Sequence, residues 1–175
     1  MADHLNSALP GLQQLSETPD LLRALLAGLS DEQALAKPVA GESSIAEVLE
    51  LLAHIESHGF RLLLDSMIAE DGPSLPAYDP QALALAGQYS GDDPEEALAH
   101  WEEQREDNLA WLDSLPAGAA SRSGVHPRLG RISVGQLINA WACHDLGRLG
   151  QVIQLVRVLQ YHPEMGPLTS LYEPA

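Results

Sequence analysis

Apolar positions along the chain recur at helical rather than strand spacing. At about 100° per residue, Val134, Leu137, Trp141, Val152, Leu155 and Leu159 share one side of a helix. Ile45, Val48, Leu52, Ile55, Leu62 and Leu63 mark the apolar side of a second. Polar start signals precede these stripes. Ser30, Ser44 and Ser133 are each followed three residues later by Gln or Glu, and Asp93 by Pro94 and then Glu96, the arrangement that satisfies the orphan amides of a first turn. The pattern predicts four main helices, about Gly11 to Leu29 (bent or started near Pro19), Ile45 to Glu70, Pro94 to Leu115 and Val134 to Tyr161. No turn dipeptide flanked by alternating Val, Ile or Thr occurs, so no strands are expected, and Pro116 to Arg131 reads as a loop. Pro73, Pro76 and Pro80 break the chain after the second helix, with a short helical turn expected near Gln81 to Ala86.

These elements describe an all-α four-helix bundle with up-down topology and one long crossover loop, in a single domain over residues 1–175. Composition agrees, since the apolar residues are mostly Leu and Ala and aromatics are only 5%. With 9 basic and 25 acidic residues the net charge is −16, and Lys37 is the one lysine. Such a chain repels phosphate backbones and anionic headgroups, which excludes nucleic-acid and membrane partners. No run of about 18 apolar residues occurs. A single cysteine, Cys143, forms no internal disulfide, and the start Met1-Ala2-Asp3-His4 lacks a basic n-region, so the expected compartment is the cytoplasm.

Candidate chemistry gathers on the second and fourth helices. Asp145 and Arg148 fall within roughly 40° of Trp141, and His144 within roughly 60°, so all three point toward the interior or a cleft opening from it. One reading is an Asp145 to Arg148 ion pair with His144 hydrogen-bonded nearby; the other is a polar pocket walled by apolar side chains, the usual form of a small-molecule site. On the second helix His54, His58, Arg61 and Asp65 form a polar line that reads either as a solvated face or, through His54 and His58 at i and i+4, as a metal-binding pair. Cys143 is expected to be a buried, inert thiol. His126 either faces the pocket or caps a turn. The acidic run from Asp92 to Asp107 reads as a favourable first turn and a solvated face. Phosphate-cradling loops, nucleophile elbows and paired Cys-x-x-Cys motifs are absent.

The succession Val125-His126-Pro127-Arg128-Leu129-Gly130-Arg131-Ile132-Ser133-Val134 and Trp141-Ala142-Cys143-His144-Asp145-Leu146 resembles the DinB-like superfamily. Thr18-Pro19-Asp20-Leu21-Leu22-Arg23, Lys37-Pro38-Val39-Ala40-Gly41-Glu42, Ser44-Ile45-Ala46-Glu47-Val48-Leu49, Ala53-His54-Ile55 and Pro76-Ala77-Tyr78-Asp79-Pro80 follow the family's order, so the resemblance runs from about residue 16 to 160. It implies a four-helix bundle, often dimeric, with a divalent metal such as Zn or Ni held by one His on the second helix and a His-x-x-x-His pair on the fourth. Relatives include thiol-dependent transferases and isomerases. The family's ligands would fall at His54 and His144, with Asp145 matching a common acidic neighbour.

The family's last ligand falls on Arg148, whose guanidinium has only donors and cannot coordinate a cation. Ser43 also stands where many relatives have Trp, and Gly150 where Ala is usual. Three outcomes follow: His58 supplies the missing nitrogen; Arg148 takes the metal's place, pairs with Asp145 and offers a positive fork to an anionic ligand; or the site has decayed and the bundle serves assembly. The reading adopted is a protein that binds a small, anionic molecule in a cleft between the second and fourth helices, with a degenerate metal site. A metal-dependent transferase using His54, His144 and His58 is the enzymatic alternative. A non-catalytic homodimer, with Trp101 and Trp111 supplying contact area, is the third.

Overall fold

The computed structural model describes residues 9–38, 42–76 and 93–172. The turn expected near Gln81 to Ala86 lies outside them. The elements are α1 (Pro10–Leu26), α2 (Asp31–Leu35), α3 (Ile45–Ile55), α4 (Arg61–Ala69), α5 (Pro94–Ser114), β1 (Ser123–His126), β2 (Gly130–Ser133), α6 (Val134–Val156) and α7 (His162–Met165). A π turn, Glu56–Phe60, joins α3 to α4 as one long helix, and a second, Arg157–Tyr161, extends α6. All four start signals act as predicted. Ser30, Ser44 and Ser133 close capping boxes with Gln33, Glu47 and Gln136, and Asp93 accepts from the amides of Glu95 and Glu96.

The core divides into two apolar clusters, and their membership fixes helix direction. Leu15, Leu64, Leu112 and Trp141 belong to one; Leu22, Leu49, Trp101 and Val152 belong to the other. Reading outward from the first cluster, α1 and α6 run one way while α3–α4 and α5 run the other. The four long helices are therefore ordered up-down-down-up, with α1 packed mainly on α6 and α3 on α5. Because α4 ends at one end of the bundle and α5 starts at the other, the connection between them is the long crossover. Gly11 permits the close approach of α1 to α6: its amide donates to Asn139 Oδ1 at 2.9 Å, and an added Cβ would lie 2.9 Å from the Ile138 carbonyl oxygen.

Two expectations are corrected here. Residues 123–133 form a short antiparallel hairpin rather than a loop, with His126 opposite Gly130 and Ser123 opposite Ser133. Gly130, at φ 73°, lets the chain turn back, and the His126 ring closes the turn by accepting from the amides of Arg128 and Leu129, both at 3.2 Å. His126 is thus a turn cap. The hairpin lacks an alternating pattern because it also pairs with the crossover, where Leu75 and Pro73 exchange backbone bonds with Val125. The second correction concerns Leu62, which is 53% exposed while Leu63, Leu64 and Met67 are buried. The extra residue in the π turn rotates α4 relative to α3, so the stripe read straight through the second helix slips by one position.

A charged layer separates the two clusters. Arg105 on α5 is 1% exposed, and its guanidinium contacts Glu56 in the π turn and, at 2.8 Å, Asp145 on α6. Its Nη1 also donates to the Leu15 carbonyl at 2.9 Å. That carbonyl is available because Pro19, four residues later within α1, has no N–H to give it. The helix consequently runs through Pro19 with its one missing bond replaced from another helix. Asn108 donates to the second oxygen of Glu56 at 2.8 Å, and the rings of Trp101 and Trp141 lie 4.9 and 5.5 Å from the Arg105 guanidinium. Trp101 is fully buried in this arrangement, so it supplies no dimer surface.

Removing Arg105 would leave two buried carboxylates without a cation. Arg105→Met is expected to lower the unfolding free energy by about 3–5 kcal/mol, read from the urea midpoint. A loss under about 1 kcal/mol would mean the layer does not depend on that guanidinium.

Candidate functional site

His144 and Arg148 lie one turn apart on α6. Arg148 Nε donates to His144 Nε2 at 3.3 Å, and its Nη1 donates to Gln151 Oε1 at 3.1 Å. This contact assigns the imidazole tautomer: Nε2 offers its lone pair to the guanidinium, and the proton sits on Nδ1. Nδ1 is 3.9 Å from Asp145 Oδ1 and has no hydrogen-bond partner among the described residues. The ring itself is 12% exposed and lies 5.8 Å from Phe60. The expected Asp145 to Arg148 pair does not form, because Arg105 reaches Asp145 from α5.

His54 and His58 come together on the long helix that runs from α3 through the π turn. Their rings stack at 4.5 Å with 9° between planes, and His58 Nδ1 shares a hydrogen bond of 2.8 Å with Ser57 Oγ. They line a cleft of about 680 Å³ between α3 and α5, together with Glu50, Glu96, His100 and Gln104. Burial, and then the nearby His58, hold the His54 pKa below the ordinary value of 6.5, so its imidazole is neutral at pH 7. Arg61, at the next turn of the polar line, spans Asp65 at 3.0 Å and Asn108 at 2.9 Å and lies 4.0 Å over the Trp111 ring. A second cavity, of about 890 Å³, opens at the other end of α6 beside Ser43, Gln151 and Leu155.

The residues that would hold a metal do not fit it in this arrangement. Among the described residues, no three His, Cys, Asp or Glu side chains are grouped to hold an ion. The His144 lone pair that a cation would need already accepts from Arg148, and a guanidinium beside the site repels a second positive charge. Cys143 is exposed rather than buried, since it falls about 200° around α6 from the inward-facing Trp141. It therefore makes no nucleophile pair with His144.

Sequence reasoning missed three participants. Arg105 stands inside the acidic run, yet it follows Trp101 by four residues and precedes Asn108 and Leu112 by three and seven, so the inward stripe marks it. Glu56 carries the same signal, since it follows Leu52 by four residues and Leu49 by seven, both buried. His100 carries another: Glu96, His100 and Gln104 repeat on α5 the spacing of Glu50, His54 and His58.

Comparison with known proteins gives two findings. The family model of the DinB superfamily matches residues 14–152. Among solved structures the chain is similar to YfiT from Bacillus subtilis, described as a probable metal-dependent hydrolase with an unusual four-helix bundle topology. The two share 21% identity at a TM-score of 0.69, over 85% of each chain, which is a likeness of fold. None of the curated proteins compared with the chain matches it.

Two outcomes test this geometry. Since Arg148 is not the counter-ion of Asp145, Arg148→Ala is expected to change stability by under about 1 kcal/mol; a loss as large as that of Arg105→Met would return Arg148 to the charged layer. A folded-state His54 pKa below its unfolded value means that the unfolded chain takes up the proton first as pH falls. Stability contributed by neutral His54 is complete above pH 6.5 and is lost as pH drops from there through the folded pKa. NMR titration of the imidazole checks the direction, and a His54 midpoint above 6.5 would contradict it.

Proposed function

The chain belongs to the DinB superfamily, and from that premise we propose that it is a small-molecule-binding member in which the Arg148 guanidinium stands where the family places a metal. The observation that carries this reading is the 3.3 Å contact from Arg148 Nε to His144 Nε2. A cation of fixed charge, attached to the protein, takes the lone pair that a metal ion would use. Gln151 holds the other arm of the fork, so the guanidinium is oriented along α6. An oriented guanidinium suits a carboxylate or another planar anion better than a lysine would.

The same contact argues against a metal-dependent transferase or hydrolase, for which Arg148 would have to leave His144. The cavity of about 890 Å³ beside Gln151 is within the range of small-molecule sites and supports ligand binding at the end of α6.

The test is restoration. Arg148→His is expected to complete a set with His54 and His144 and to take up Zn²⁺ or Ni²⁺ near one per chain, measured by elemental analysis after dialysis, with a rise in melting temperature on adding metal. The parent chain is expected to take up none. Stoichiometric metal in the parent chain, lost on replacing His54 or His144, would overturn the guanidinium reading in favour of metal-dependent chemistry.

A further inference from the structure

The cavity at the end of α6 has features that point to its occupant. Its polar wall is built by the second π turn and α7, which bring Arg157 and His162 to one space. His162 Nε2 is buried there and has no hydrogen-bond partner among the described residues. A buried ring nitrogen left unmatched is costly, and a turn of the His162 ring at the cavity wall would let a ligand there match it. The Arg157 fork is held in position, its Nη1 donating to Gln154 Oε1 at 2.6 Å and its Nη2 to the Tyr172 carbonyl at 3.3 Å. Leu155, Val158 and Tyr172 add apolar surface to the lining. The other ionic group is Glu42, which is exposed and so sits at the rim, where water screens it.

A positive fork, an unmatched imidazole nitrogen and an apolar wall select a ligand with an anionic head and a hydrocarbon body. We propose that this cavity binds an amphipathic monocarboxylate, with the carboxylate on Arg157 and His162 and the hydrocarbon part against Leu155, Val158 and Tyr172. His162 donates through Nε2–H, which uses the nitrogen that otherwise lacks a partner. Ser43, a small side chain in the wall, leaves the space open. The inference rests on the small-molecule reading above and names its ligand class, but it does not depend on Arg148.

The experiment is calorimetric titration of the full chain with octanoate, octylamine and octanol, three probes of one hydrocarbon length and different heads. Octanoate is expected to bind saturably at one site, with the amine and the alcohol at least about tenfold weaker. Arg157→Gln and His162→Phe should each weaken octanoate by about tenfold, and Ser43→Trp, which fills the wall, should abolish binding. Circular dichroism melts establish that each variant is folded, and the comparison of head groups on the parent chain needs no variant. Equal affinity for octylamine, absence of saturable octanoate binding, or full affinity in both Arg157→Gln and His162→Phe would overturn the proposal. Metal uptake by Arg148→His is read independently, so failure of that test with octanoate binding intact sinks only the Arg148 reading, and the converse result sinks only this one.

Discussion

One buried guanidinium holds the bundle in register. Arg105 touches Glu56, Asp145 and the Leu15 carbonyl, so a single side chain of α5 reaches the π turn, α6 and α1. Burial alone would discourage its charge, but Glu56 and then Asp145 more than offset that and raise its pKa above the ordinary value. The layer contains two carboxylates to one guanidinium, and Asn108 shares the load by donating to Glu56. Apolar clusters above and below it would tolerate sliding of one helix along another; a charged layer does not, because any shift separates the partners inside a poorly solvated core. Directional contacts of this kind specify one packing among many that bury similar area.

This layer also decides what the candidate site is. With Asp145 committed to Arg105, Arg148 turns along its own helix to His144 and Gln151. The sequence-based expectation that Arg148 would balance Asp145 failed for want of knowledge of α5, which supplies the competitor. His144 Nε2 therefore faces a guanidinium, which offers only donors.

The helices were legible because their signals are local. Each Ser cap and its returning Gln or Glu lie within four residues, and the apolar stripe of α6 repeats along one element. The hairpin was not legible, since its strands are four residues each and one of them pairs with Ser74, about fifty residues earlier in the chain. His54, His58, His144 and Arg148 could be picked out by residue type and spacing. How they group could not be, because the stack of His54 on His58 and the contact of Arg148 with His144 depend on side-chain rotamers and on which neighbouring helix competes for each partner. Arg105 was readable in principle from its place on the Trp101 stripe, and its acidic neighbours concealed it.

The π turn at Glu56–Phe60 carries one more implication. It behaves as an insertion of one residue, allowing Ile55 and Leu63, eight positions apart, to face the same cluster while Leu62 faces water. Loss of a single residue within the turn would leave an uninterrupted α-helix in which Ile55 and Leu63, then seven positions apart, still share a face. The turn therefore takes up one residue of extra length between α3 and α4 while the apolar faces on either side of it keep their direction.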